Sequence, residues 1–217
     1  MNPLPRKARD KLLRRTDILR AATHVFAEKG YHDATMLDIA RQAEYAVGTI
    51  YLYFKDKQAL YLALSEEKIE ELFCRIKDKM GEVQGSLAKI RVLVEEQLAY
   101  FEENEDFFRI YFSEEGFGSR LVTDKPSRQM MERIVKFRGY LTAVIKKAQA
   151  ENVIRVDLDP NRTARLLGGM VKSIIIPWLK DKTLKEKDLK GSSGFILDIF
   201  LNGAASPSAK NRDALCN

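Results

Sequence analysis

The chain has 217 residues, 45% of them hydrophobic and 31% charged, which is enough apolar material for one or two packed domains. The net charge of +6 is mildly basic, and the two cysteines, Cys74 and Cys216, allow neither a disulfide framework nor a zinc-ligand spacing. No run of about 18 apolar residues occurs and no apolar stretch follows the basic start, so neither a membrane span nor a secretion signal is expected, and the expected compartment is a reducing cytoplasm.

The first segment is basic. Residues 1–15 hold Arg6, Lys7, Arg9, Lys11, Arg14 and Arg15 against Asp10 alone, a local excess of five positive charges. Such an arm can neutralise phosphates and release counterions, or it can be a solvated terminus. Ile18, Ala22, Val25 and Phe26 then fall on one face of a first helix, which Gly30 stops. Thr35 is a capping residue with Asp38 three positions on, and Met36, Ile39, Ala40 and Ala43 repeat with helical spacing behind it. A turn at Glu44-Tyr45 leads to a third short helix over about 47–54. Asp56 caps a long fourth helix, which carries Leu60, Leu64, Leu72, Phe73, Ile76 and Met80 before Gly81 and Gly85.

A second block follows. Ser86 is read as the cap of a helix with Ile90, Val94, Leu98 and Phe101, and Asn104 as the cap of the next, whose acidic first turn suits the helix dipole. Gly116-Phe117-Gly118 breaks that helix, and a longer one is expected over about 126–151. Asp159-Pro160 opens another with a cap and a first-turn proline. Phe195, Ile199 and Phe200 mark the last, and residues 204–217 read as a loose tail. No strand-like alternation is convincing, so the class is all-α with about nine helices.

Two short helices joined by a tight turn present the second as a reader of base edges, while flanking groups fix the phosphates. Here Ile50 and Phe54 face inward, leaving Val47, Gly48, Thr49, Tyr51 and Tyr53 toward solvent or DNA. Gly48 allows close backbone approach, Thr49 can meet a base edge or a phosphate, and the two tyrosines can donate to phosphate oxygens. Lys57 can meet a phosphate together with the N–H groups of the fourth helix. Each has a plainer alternative: Val47 and Tyr51 as core, Lys57 as a surface lysine, Thr35 as a cap alone. The partner this segment points to is a double-stranded DNA operator.

The segment resembles the N-terminal domain of TetR/AcrR-family transcriptional regulators. The resemblance rests on Ile18-Leu19 with Ala21-Ala22, Phe26, Gly30-Tyr31, Thr35, Ile39-Ala40, Ala43, Gly48-Thr49-Ile50-Tyr51, Tyr53-Phe54, Lys57 and Leu60. Two positions depart from it: Glu44 stands where a turn-former such as glycine is usual, and Ala46 where a serine or threonine cap is usual. The resemblance implies a helix-turn-helix at about 35–54 within a DNA-binding domain 1–57, an effector-binding and dimerisation domain 58–203, and a flexible tail beyond it. It implies a homodimer on a palindromic operator, released by a small effector, with repression as the default. Leu167, Met170, Val171, Ile175 and Trp178, with Phe195, Ile199 and Phe200, fit the expected dimer interface or an internal core.

Phe101, Phe107, Phe108, Tyr111, Phe112, Phe117, Phe137 and Tyr140 form an aromatic-rich set that suits either a greasy ligand or core filling. Arg109, Arg120, Arg128, Arg133 and Arg138 can offer anion contacts, and a long acyl chain, such as an acyl-CoA, is one effector at subfamily level. Histidine occurs only as His24 and His32, so no metal-sensing site and no cofactor are expected. An enzyme is not expected either: Ser86-Leu87-Ala88-Lys89 matches half of a catalytic signature whose other half is absent. The remaining alternative is a helical dimeric ligand-binding or adaptor module without specific DNA binding.

Overall fold

The computed structural model describes residues 5–112, 127–181 and 188–203. Among them are nine α-helices, no strand, and a 3-10 turn at Lys190–Ser192. The helices are α1 (Arg6–Asp33), α2 (Met36–Gln42), α3 (Val47–Tyr51), α4 (Lys57–Gly81), α5 (Ser86–Glu103), α6 (Glu105–Phe112), α7 (Arg128–Ala150), α8 (Pro160–Lys180) and α9 (Ser193–Asn202). The all-α class is therefore as the sequence reads. No helix among the described residues is long and apolar enough to cross a membrane. The Gly116–Gly118 break, Arg120, Phe117, Cys216 and the tail 204–217 lie outside the described residues.

The chain packs as two compact units, Met1–Arg75 with Glu103–Lys136, and Ile76–Glu102 with Phe137–Asn217. In the first unit, Ile18, Leu19, Ala22, Val25 and Phe26 bury one face of α1, which packs on α2 and α6. Ile39, Ile50, Leu60 and Leu64 close that core. The helix begins at Arg6, twelve residues before the apolar pattern starts at Ile18, so the basic arm is helical from Arg6 onward. At Gly30 the backbone leaves helical geometry with φ 75°, a left-handed value that glycine adopts without steric cost, and one more turn follows to Asp33.

Local signals account for several helix starts. Thr35 Oγ1 accepts from the Asp38 backbone N–H at 3.1 Å and the Asp38 carboxylate accepts from the Thr35 N–H at 3.1 Å, a complete capping box. Asp56 accepts from the Ala59 N–H at 2.7 Å at the start of α4. Asp159 accepts from the Arg162 N–H at 2.7 Å ahead of Pro160. Ser86 behaves differently from a cap: it is the first residue of α5, and its N–H and hydroxyl both donate to the Glu151 carboxylate at the end of α7.

In the second unit, Ile90, Val94 and Leu98 of α5, Val144, Ile145 and Ala148 of α7, and Leu167, Val171 and Ile175 of α8 are buried, and α9 packs on α8. Burying this apolar surface removes roughly 25 cal/mol per Å2 from the cost of ordering the chain.

Candidate nucleic-acid interface

Helix α2 is fixed from two sides. Its capping box holds the first turn, and Lys29 Nζ of α1 pairs with Asp38 at 2.8 Å. Lys29 first, then the Thr35 hydroxyl, hold the Asp38 pKa down at about 2. The turn that follows holds a left-handed residue, Glu44 with φ 58°, at the position where the resembled family usually has a turn-former such as glycine. Such a backbone costs a non-glycine residue about 1 kcal/mol. Tyr45 anchors the turn to α1, its hydroxyl donating to Asp17 at 3.2 Å. Burial and that carboxylate push the Tyr45 pKa up.

Helix α3 opens at Ala46, which makes no side-chain capping bond; the Thr49 N–H reaches the Ala46 carbonyl at 2.8 Å instead. Its inner side is rooted: Ile50 is 0% exposed and Phe54 5%. Arg15 of α1 stacks its guanidinium 5.7 Å from the Phe54 ring centre and pairs with Glu67 of α4 at 3.1 Å. The outer side is open. Val47 is 38% exposed, Tyr51 51%, and Gly48 is exposed with nothing within 4 Å of where a β-carbon would sit. Thr49 and Tyr53 are half-buried, and Thr35 is exposed on the neighbouring helix start.

Leu52, which the sequence reading passed over, is 81% exposed. It follows Gly48 by four positions, so helical spacing alone puts it on the open edge.

Lys57 points inward to the end of α1. Its ammonium donates to the carbonyls of Tyr31 at 2.6 Å, His32 at 2.8 Å and Ala34 at 2.8 Å, and lies 4.8 Å from the Tyr31 ring centre. These carbonyls close the last turn of α1, where a cation also complements the helix dipole. Burial draws the Lys57 pKa below the ordinary lysine value, while Asp33 pulls it up.

The expected ligand residues divide between the units. Phe108, Tyr111 and Phe112 belong to the first, where rings run from Tyr31 to Tyr61 at 5.0 Å, Tyr61 to Phe107 at 6.3 Å, and Phe107 to Tyr111 at 5.9 Å. Phe108 is fully buried, and the buried Tyr61 hydroxyl has no hydrogen-bond partner among the described residues. Phe101, Phe137 and Tyr140 belong to the second unit, with Phe101 buried and the Lys77 ammonium 6.0 Å from the Tyr140 ring centre. Arg109 pairs with Glu105 and Asp106, Arg128 with Glu132, and Arg133 with Glu70.

Of the expected dimer residues, Leu167, Val171, Ile175 and Trp178 are buried within the second unit by the chain itself. Phe195 is 64% exposed and Ile199 is half-buried. The open face of α8 carries Arg162, Arg165, Leu166, Gly169 and Ser173. No cluster of metal-ligating side chains occurs among the described residues.

A capped α2, a tight left-handed turn, and an α3 rooted by Ile50 and Phe54 with an open outer edge define a helix-turn-helix head of the kind that reads duplex DNA. Residues 18–64 match the family model described as bacterial regulatory proteins, tetR family. The fatty acid metabolism regulator protein of Bacillus subtilis is 25% identical over 190 residues, covering 86% of this chain and 93% of that protein. Over 52 residues the chain is 50% identical to the regulator HbdR of an Aromatoleum strain, which covers 24% of this chain and 23% of that protein. The crystal structure of the transcriptional regulator FadR from Bacillus subtilis, in complex with stearoyl-CoA, superposes with a TM-score of 0.73 at 24% identity, covering 88% of this chain and 99% of that one. Residues 18–64 carry the DNA-binding domain of the tetR family of bacterial regulatory proteins.

Proposed function

We propose that the protein is a ligand-responsive repressor that binds a palindromic operator as a homodimer and is released by a lipid-like effector of the acyl-CoA class. One observation carries the DNA-reading part: the outer edge of α3 is open from Val47 to Leu52 while its inner side is locked in the core. In this reading residues 1–57 read the operator and 58–203 hold effector and partner. Thr35, Val47, Gly48, Thr49, Tyr51 and Tyr53 face the groove and its phosphates. Lys57 acts behind them, setting where α4 begins against the end of α1. The setting is the cytoplasm, where an operator is accessible.

The aromatic run in the first unit and the unpartnered Tyr61 hydroxyl support an apolar effector with a polar end. The regulator of fatty acid metabolism, and the stearoyl-CoA held by the related fold, favour an acyl thioester over other greasy molecules. Self-association is best supported by the open face of α8 around Leu166 and Gly169 together with Phe195 and Ile199. Effector and operator oppose each other by a shared coupling free energy, and a coupling of ten-fold is about 1.4 kcal/mol.

The test is fluorescence anisotropy on the DNA upstream of the protein's own gene and on a shuffled duplex, across salt, with and without stearoyl-CoA. The account expects preference for the upstream duplex, a steep salt slope, and weakened binding with the thioester. Equal binding to both duplexes supports the adaptor alternative. Operator affinity unchanged at saturating thioester removes the effector.

A further inference from the structure

We propose that the first three turns of α1 form a second DNA-contacting surface, in which Lys7, Lys11 and Arg14 hold phosphates beside the base-reading edge. This rests on the DNA-reading function and extends it to DNA that α3 does not reach.

The basic arm is an ordered helix whose residues 5–14 are all exposed, because the first core contact of α1 is made by Ile18. Lys7, Lys11 and Arg14 stand at i, i+4 and i+7, so they share one stripe. Continued along the helix, that stripe becomes Ile18, Ala21, Ala22 and Val25, the side buried against the rest of the head. Arg6, Lys7, Arg9, Lys11 and Arg14 form no ion pair among the described residues, whereas Arg15, at the edge of the core, is taken by Glu67.

Two further observations select DNA as the occupant. The chain works against its own helix here: no acidic residue stands in the first turn of α1 and Pro5 makes no side-chain cap, so the cations sit at the positive end of the helix dipole. A local rule broken without compensation inside the protein marks a surface whose compensation comes from a partner. The stripe also ends at the reading head. Asp17 bonds the Tyr45 hydroxyl in the turn before α3, and the Arg14 charge is near enough to act on that phenol. A polyanion seated on α3 therefore continues onto the stripe. An anionic membrane would use the same charges, but the exposed Leu12 and Leu13 lie off the stripe and nothing joins them to a larger apolar patch.

The experiment compares wild type with the Lys7→Gln/Lys11→Gln double variant, which touches no core residue, and with the triple variant that adds Arg14→Gln. Binding is measured by anisotropy from low to high salt on the operator, on a shuffled duplex, and on operators with progressively trimmed flanks. Each lost phosphate contact lowers the slope of log affinity against log salt by about 0.9, so the double variant flattens it by roughly 2 per reading head. Affinity falls by roughly ten-fold or more for every sequence, and the preference for operator over shuffled DNA is kept. Trimming flanks weakens wild type and leaves the variants unaffected. An unchanged slope with unchanged flank dependence overturns the proposal while operator preference still stands. A flattened slope in a protein with no operator preference keeps this surface and removes the reading head. Variants that keep the wild-type slope but lose binding to vesicles rich in anionic lipid assign the arm to a membrane instead and overturn the proposal.

Discussion

Replacing Lys57 with Met keeps most of the volume and removes the ammonium that ties α4 to the end of α1. Three carbonyls lose their donor, those of Tyr31, His32 and Ala34, at distances of 2.6 to 2.8 Å. A hydrogen bond to a charged group contributes roughly 1.5–3 kcal/mol. The three share one cation, so their effects do not add, and the carbonyl of exposed His32 turns to water when freed. The carbonyl of buried Ala34 has the least access to solvent. A net loss of about 2–3 kcal/mol in the head follows, against about 0.5 kcal/mol or less for an ordinary surface lysine.

The loss is read by hydrogen exchange of peptides spanning residues 18–64, with calorimetry as a second measure; for a chain of this size each kcal/mol lowers Tm by about 2–4 °C. Lys57→Arg fares little better, because a planar fork does not match three converging carbonyls. Wild-type protection in the Met variant, with a salt slope reduced by about 0.9, would show that Lys57 serves a phosphate and would refute the clamp.

Gly48→Ala separates stability from recognition. With nothing within 4 Å of the added β-carbon, the free protein gains up to about 1 kcal/mol from helix propensity, while operator affinity falls at least roughly ten-fold because the DNA backbone no longer fits. Ala46→Ser supplies the missing cap of α3 and raises the melting free energy of the head by about 1 kcal/mol, measured by denaturant unfolding. Asp38 gives a pH signature: its folded pKa of about 2 lies below the unfolded value near 3.9, so its stabilisation is full above about pH 4 and is lost as pH falls toward 2. Circular dichroism should show the head weakening across that window, and Asp38→Asn should flatten the slope.

The parts of the fold legible from sequence are those set by short spacings. Thr35 with Asp38, Asp56 with Ala59, and Asp159 with Arg162 just past Pro160 each act within a few residues, and the structure forms each of those bonds. The turn at Glu44-Tyr45 is legible in the same way, whereas its left-handed residue is indicated only by the family resemblance, which places a turn-former at Glu44. Contacts set by distant chain segments are not legible. Lys57 reaches carbonyls more than twenty residues earlier, and Ser86 meets Glu151 across 65 positions, and no local rule points to either.

The α8 stripe shows a second limit. Periodicity identifies Leu167, Val171 and Ile175 as an apolar face, but a buried face looks the same in sequence whether its own chain or a second copy covers it, and here its own chain does. For the basic arm, charge is plain in the sequence, while its helical order depends on continuity with the packed part of α1.

The most direct measurement is protection of guanine N7 from methylation on the bound operator. N7 lies in the major groove, where the open edge of α3 would sit. The account predicts two protected patches centred about one helical turn apart, or a whole multiple of it, both lost in Gly48→Ala. A retarded complex in which no guanine is shielded, or in which the Gly48→Ala pattern equals wild type, would contradict it.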